Sequence, residues 1–594
     1  MIAPDRGGSN GETSRRRLLR HNLAAVTLVF FALQIWRPYF FLTDDNLDGG
    51  FPFLTEVGRH LLAGRSPFFS DYLFGGHYDL LRDPSFFAWH PAYLLSSLLE
   101  ATPLRFAIID APAFIFLLLG AAGFVHLAWQ LRREHGLAVS DGWIMFYTLS
   151  FSFSMIALTT GASWVNFLGA QSALPWLAFG ILQHSRRSSL ALTALFSAHL
   201  ILGSHPEPAI SDCLFLSFFA GGIALLRRSW QPMICWTAGF VLAVIVLLPL
   251  IMPLLEGFSA TARSHGIPVA EMSRNNIPPE LFPTSIFFGV ALWIINPPAD
   301  PNVTYTLAMG SAAAAWCSLG LIKLGSSKWT RLERLLGIIV LLAALVVVRP
   351  VFISEIMVRL PLLKSMRWPF RELLQFQFFL HLLMVVRPSG FAPRTQLRLA
   401  VFSMLIFIVP MLAYKIPPTL NTMRMDRQLL LNGGFDDYWR QVRPLLKPGD
   451  RVAAIIPREL YSEGQFEVPF SLLNAFDYPC LSRCVAAGGY SQTPPQDQLY
   501  VRPWSIYPFG AWEPDQKPEL LAERPDLKFI AVESLSPLKI TLSSRDGPAI
   551  DLTPFAPEKV REDVAIGVVN GRAIEAAEKE RAKSSGWHLL WMHK

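Results

Sequence analysis

The chain has 594 residues, 52% of them hydrophobic and 16% charged, with mean hydropathy +0.35 and formal net charge +7. Soluble domains carry about 25% charged residues, so the composition excludes a soluble enzyme and a disordered chain and indicates a polytopic membrane protein. The basic residues sit in short clusters between apolar blocks rather than on a face interleaved with aromatics, and no nucleic-acid motif occurs, so nucleic acid is excluded as a partner.

A span needs about 20 mostly apolar residues. In chain order the blocks predict eleven: 22–43, 104–131, 139–160, 164–182, 189–204, 208–226, 232–254, 305–323, 333–350, 372–387 and 398–414. The block 189–204 is short and relies on tilt. Residues 284–296 are apolar but too short to cross and read as re-entrant or interfacial. The first block lacks a small-residue cleavage site and reads as an uncleaved anchor. Arg15–Arg17 and Arg20, Arg132 and Arg133, Arg186 and Arg187, Arg227 and Arg228, the 323–334 cluster and Arg387 to Arg398 all fall on one side if the N-terminus is inside. Loops 44–103 and 255–304 and everything after about 415 then face outward. The fold class is thus an α-helical polytopic membrane domain (22–414) behind a basic N-terminus (1–21), with an extracytoplasmic α/β or α+β domain (415–594). That domain has strand-like runs at Arg451–Ile456, Lys528–Val532 and Val564–Val569 and a charged helical run at Ala573–Lys583. Cys480 and Cys484 lie in it, either as a local disulfide or as two free thiols. Cys213, Cys235 and Cys317 sit in spans as packing residues.

Directly after the first span come Asp44, Asp45 and Asp48, followed by Gly49 and Gly50. Carboxylates near hydrocarbon default to a functional hypothesis. Adjacent carboxylates raise one another's pKa, which suits a general base or a divalent ion with oxygen ligands; the alternative is a solvated loop end. The DDNLD spacing also matches the DDxxD of isoprenoid-diphosphate enzymes, but it follows a span and runs into Gly-Gly, so that match is taken as chance. The same loop carries Gly75, Gly76 and His77, then Arg82 and Asp83, then His90 and Pro91, a composition for ligand approach or for an amphipathic lid. On the same side lie His205 and Glu207 at an outer turn, and Arg367 and Arg371 before the tenth span. Arginine there either binds phosphate through paired donors or snorkels, and His205 is either a ligand or a helix cap.

These motifs, in this order, resemble the bacterial YfhO-type membrane proteins within the GT-C glycosyltransferases, which use polyprenyl-phosphate sugars. The similar segments are Asp45 to Phe53, Phe74 to Pro91, Gly203 to Glu207 with Ser204 inserted, Arg367 to Arg371, and Gly489-Tyr490. Where members of the family carry Gln before the Pro-Phe pair, this chain has Gly49. The resemblance implies a GT-C-like fold in a bacterial cytoplasmic (inner) membrane and transfer of a sugar from a polyprenyl-phosphate donor to an envelope glycan or lipid acceptor. Asp45 would be the base with Asp44 beside it, both candidates for a Mg or Mn ion. Asp48, Gly75, Gly76, His77, Arg82, His205, Glu207, Arg367 and Arg371 would line the substrate. Transfer would invert the anomeric centre. A transporter and a non-catalytic assembly protein are the competing classes.

Overall fold

The computed structural model describes residues 8–259, 329–387, 421–485, 511–512 and 527–561, apart from short stretches within them, and a few residues between 266 and 272. The chain divides into two units. The first comprises Met1–Asn46, Val57–Arg65 and Leu81–Pro418; the second comprises Leu47–Glu56, Ser66–Leu80 and Thr419–Lys594.

The first unit is a helical bundle. Its helices are α1 (Gly8–Trp36), the second half of α2 (Phe51–Leu62), α3 (Pro91–Ser97), α4 (Asp110–His135), α5 (Asp141–Ser152), α6 (Met155–Ser163), α7 (Asn166–Leu182), α8 (Arg186–Gly203), α9 (Pro206–Arg227), α10 (Gln231–Ser259), α11 (Arg331–Val348), α12 (Val351–Val358) and α13 (Leu373–Val386). Their ends are written into the sequence. Ser140, Ser154 and Ser185 accept the first free N–H groups of α5, α6 and α8. Thr330 and Glu333 form a reciprocal capping box on α11. Gly136, at φ +59°, ends α4 in the left-handed region that favours glycine.

Among the described residues, four helical stretches are long and apolar enough to cross a membrane: Glu12–Trp36, Arg105–His135, Pro206–Arg227 and Gln231–Gly257. The count is six if the bent pairs α5/α6 and α11/α12 are each one span. On α10, Val241, Leu242, Ile245, Val246 and Leu248 lie exposed. Such a surface fits contact with lipid, and by the length and hydropathy of its helices the chain is a multi-pass membrane protein. Helices lie within every expected span on described residues, but that of 22–43 ends at Trp36, and α7 and α8, in 164–182 and 189–204, are not among these four to six spans; 305–323, 398–414 and the 284–296 segment lie outside the described residues. The expected span 372–387 is realised as α13, only 14 residues long and buried along its whole length. At about 1.5 Å per residue it falls short of the roughly 30 Å hydrocarbon core. Its all-round apolar character reflects burial within the bundle.

One contact shows how tightly the bundle closes. A Cβ built on Gly169 of α7 would lie 1.9 Å from the carbonyl oxygen of Gly203, at the end of α8. Only glycine permits that approach. Gly169→Ala is therefore expected to cost about 1–3 kcal/mol by overpacking, read as a lower thermal midpoint of the full chain in detergent.

The second unit carries the strands β1 (Phe69–Ser70) and β2 (Tyr78–Asp79), an antiparallel pair. After α14 (Asn421–Leu431) and α15 (Gly434–Val442) come β3 (Arg451–Ile455), the hairpin of β4 (Tyr461–Ser462) and β5 (Gln465–Phe466), then β6 (Ala511–Trp512), β7 (Leu527–Leu535), β8 (Leu538–Ser544) and β9 (Gly547–Asp551). The main sheet has the order β6-β3-β7-β8-β9. β3 pairs parallel with β6 and β7, with Ala453 opposite Phe529, while β7, β8 and β9 run antiparallel. The expected strands at 451–456 and 528–532 are β3 and part of β7; the 564–569 strand and the 573–583 helix lie outside the described residues. Cys480 and Cys484 are separate thiols. Arg483, at φ +57°, turns the chain between them. Cys480 Sγ donates to Glu56 at 2.9 Å, while Cys484 Sγ faces the Ser482 carbonyl at 3.6 Å.

Candidate functional site

The chain leaves α1 through a segment pinned to the bundle by side chains. Asn46 donates from Nδ2 to the carbonyls of Phe41, Gly161 and Ala162 and accepts from the Val165 N–H. Thr43 Oγ1 donates to the Ala162 carbonyl at 2.8 Å. This fixes the acidic segment against the junction of α6 and α7. Asp44 there has φ +52°, a left-handed conformation that Asp tolerates better than most residues. Asp44 and Asp45 are half-buried. The Trp164 Nε1–H, at the end of α6, donates to Asp45 Oδ2 at 2.5 Å.

The same indole meets a cation. The Arg371 guanidinium carbon lies 4.8 Å from the Trp164 ring centre and 5.7 Å from that of Phe167. Arg371 is buried and donates from Nη1 to Glu207 Oε2. His205 accepts the Glu207 N–H through Nδ1 and so caps α9. Thus four expected residues, Asp45, His205, Glu207 and Arg371, belong to one continuous set of contacts within the bundle. The expectation that Arg371 is held for an anion meets a fact the sequence did not display: Glu207 is already bonded to it. A buried guanidinium needs a counter-charge.

The remaining expected residues separate from that set. Asp48 is fully buried in the second unit and accepts from the Tyr478 hydroxyl. Burial, with the Asp426 and Asp48 carboxylates beside it, holds the Tyr478 phenol well above its usual range. Asp48 thus joins the start of this loop to the Tyr478 hydroxyl within the second unit. Arg82 is exposed and forms a surface ion pair with Glu256 at 3.7 Å. Gly76 turns the chain at φ +85°, and Gly75, His77 and Arg367 lie outside the described residues.

The loop 44–103, read from the sequence as ligand-approach loop or lid, contains the helix α2. Its residue Glu56 accepts from Ser70 Oγ at 2.7 Å, the Asp71 N–H at 2.8 Å and Cys480 Sγ. His60 follows one turn later on the same helix.

A further polar chain runs through the bundle. His90 Nδ1 accepts the Ala92 N–H at 3.1 Å, so its proton sits on Nε2 and is donated to His199 Nδ1 at 2.9 Å. His199 Nε2 in turn donates to Ser172 Oγ at 2.7 Å, and Ser172 donates to the Gly169 carbonyl at 2.8 Å. Burial lowers the His90 imidazole from 6.5 to about 4. The folded chain keeps it neutral where the unfolded chain binds a proton. Its stabilising contribution is therefore complete above about 6.5 and is lost as pH falls toward about 4. The thermal midpoint in detergent is expected to fall across that window, and His90→Asn to flatten the slope.

No protein-family model matches the chain, and neither the curated proteins nor the solved structures contain a match.

Proposed function

We propose that this chain is a membrane glycosyltransferase that moves a sugar from a polyprenyl-phosphate donor to an envelope glycan or lipid acceptor on the outer face of a bacterial cytoplasmic membrane. The observation that carries this reading is the Trp164 indole, which contacts the Asp45 carboxylate on its N–H and the Arg371 guanidinium over its ring. A base and a cation thereby flank one aromatic surface, and an aromatic surface suits a sugar ring. The order of motifs shared with the GT-C enzymes supports the same reading. Asp45 takes the proton of the acceptor hydroxyl as its oxygen attacks the anomeric carbon. The bond from that carbon to the phosphate oxygen breaks, the lipid phosphate leaves with the electron pair, and the anomeric centre inverts. The Arg371 guanidinium, oriented by Glu207, offsets the charge that develops on the phosphate. Asp44 and Asp45 are the residues that would hold a divalent cation such as Mg or Mn, adding positive charge for the phosphate.

The test is the purified full chain in lipid nanodiscs with a panel of synthetic polyprenyl-phosphate hexoses and total envelope glycan as acceptor. Release of lipid phosphate coupled to acceptor glycosylation is expected. A silent panel, together with an unchanged envelope glycan profile in a deletion strain, overturns the proposal. Buried ionisable groups inside the bundle, such as Asp212 and Glu372, favour a second reading as a transporter. It predicts donor-independent movement of a lipid-linked saccharide across vesicles.

A further inference from the structure

Five charged side chains are buried where α9 meets the start of α13: Glu207, Asp212, Arg349, Arg371 and Glu372. Two of the three acids have a guanidinium. Glu207 is bonded to Arg371, and Glu372 lies 3.7 Å from Arg349 while also accepting from Ser211 Oγ at 2.8 Å. Asp212, the neighbour of Ser211 and wholly buried, has among the described residues only a neutral partner: Gln375 Nε2 donates to its Oδ1 at 2.6 Å. Among the described residues, Asp212 Oδ2, Glu372 Oε2 and Gln375 Oε1 accept no hydrogen bond, and Arg349 Nη2 donates none, lying 3.7 Å from Glu372 Oε1. All belong to side chains at least nine-tenths buried. The two hydrogen bonds across the interface, 211 to 372 and 212 to 375, place the three oxygens within one turn of each helix.

Buried acceptors without donors are costly, and a carboxylate without a counter-charge in a lipid-embedded bundle is more so. The three orphaned oxygens need a ligand that is all positive charge and no bulk. Because the other two acids are already matched by guanidiniums, a single positive charge balances the patch, and a divalent ion would over-compensate it. Hard oxygen donors select a hard cation. We propose that Asp212, with the side-chain oxygens of Gln375 and Glu372, binds a dehydrated monovalent cation, sodium, between α9 and α13. The site shares its buried charges with the Glu207–Arg371 pair beside Trp164, but it uses other oxygens and does not depend on the glycosyltransferase reading.

The experiment uses the full chain in detergent or nanodiscs and measures binding of radioactive sodium, together with the thermal midpoint in sodium, potassium and N-methylglucamine chloride at constant ionic strength and pH. Saturable sodium binding is expected, with a rise in midpoint that N-methylglucamine does not reproduce. Asp212→Asn is expected to weaken that binding by about tenfold or more, as loss of one charged partner in a buried site does. The unsubstituted chain tests the site by itself if the variant fails to fold. Absence of saturable sodium binding overturns the proposal, as does binding unchanged in Asp212→Asn. A midpoint that follows pH and ignores sodium also overturns it and assigns a proton to Asp212 instead.

Discussion

Asp45→Asn is expected to lower the rate of sugar transfer by about 10²–10⁴-fold, the usual loss when a positioned general base is removed, with membrane levels unchanged. The substitution keeps the shape of the side chain and leaves an oxygen to accept the Trp164 N–H, now at 2.5 Å from Asp45 Oδ2. What disappears is the basicity. Because Asn46 and Thr43 anchor the segment independently, folding does not rest on the Asp45 charge. Asp48→Asn is the matched control: the same chemical change three residues away, on a carboxylate bonded to Tyr478, is expected to alter thermal stability and leave kcat alone. Transfer rates within twofold of the unsubstituted enzyme in Asp45→Asn would remove the carboxylate from the mechanism.

The Glu207–Arg371 pair carries the second large effect. Both side chains are nearly inaccessible, at 9% and 4% exposure. Removing one partner of such a pair typically costs about 3–5 kcal/mol, because a charge stays buried without its match. Glu207→Ala should therefore produce a marked fall in the thermal midpoint and little folded protein after extraction. Glu207→Ala combined with Arg371→Met, which keeps bulk against the Trp164 and Phe167 rings and removes the cation, should recover much of that stability while remaining inactive. If the double variant is no more stable than the single one, the ion pair is not what the junction depends on. Thermal aggregation in detergent, scored beside transfer activity, separates the two effects.

The bundle is legible because span length and apolar blocks are local signals. The turn before α9 was equally plain, since His-Pro-Glu after a small residue marks a helix start. The same local reading mistook α13: a run apolar on every side fits lipid and core alike, and only the packing around it decides. It also treated Phe51–Leu62 as part of an outer loop, although the apolar spacing in FPFLTEVGRHLL follows a helical period. Trp164 was invisible as a site residue because it meets Asp45 across 119 positions of sequence. Glu207 and Arg371 were each named, but the bond between them spans 164 positions, and pairing at that distance leaves no mark on either neighbourhood. Gln375 is a polar residue inside an apolar block, and nothing in that block points to its partner Asp212, 163 positions away.

The bond between Asp48 and Tyr478 joins positions 430 residues apart. Chains grow at about 5–20 residues per second, so the early segment waits roughly 20–90 s for its partner to emerge. During that interval Leu47, Phe51, Phe53 and Leu54, all buried in the finished protein, have no C-terminal residues to pack against. Truncation of the tail leaves the same side chains uncovered for good, and a chain cut before residue 478 is expected to aggregate.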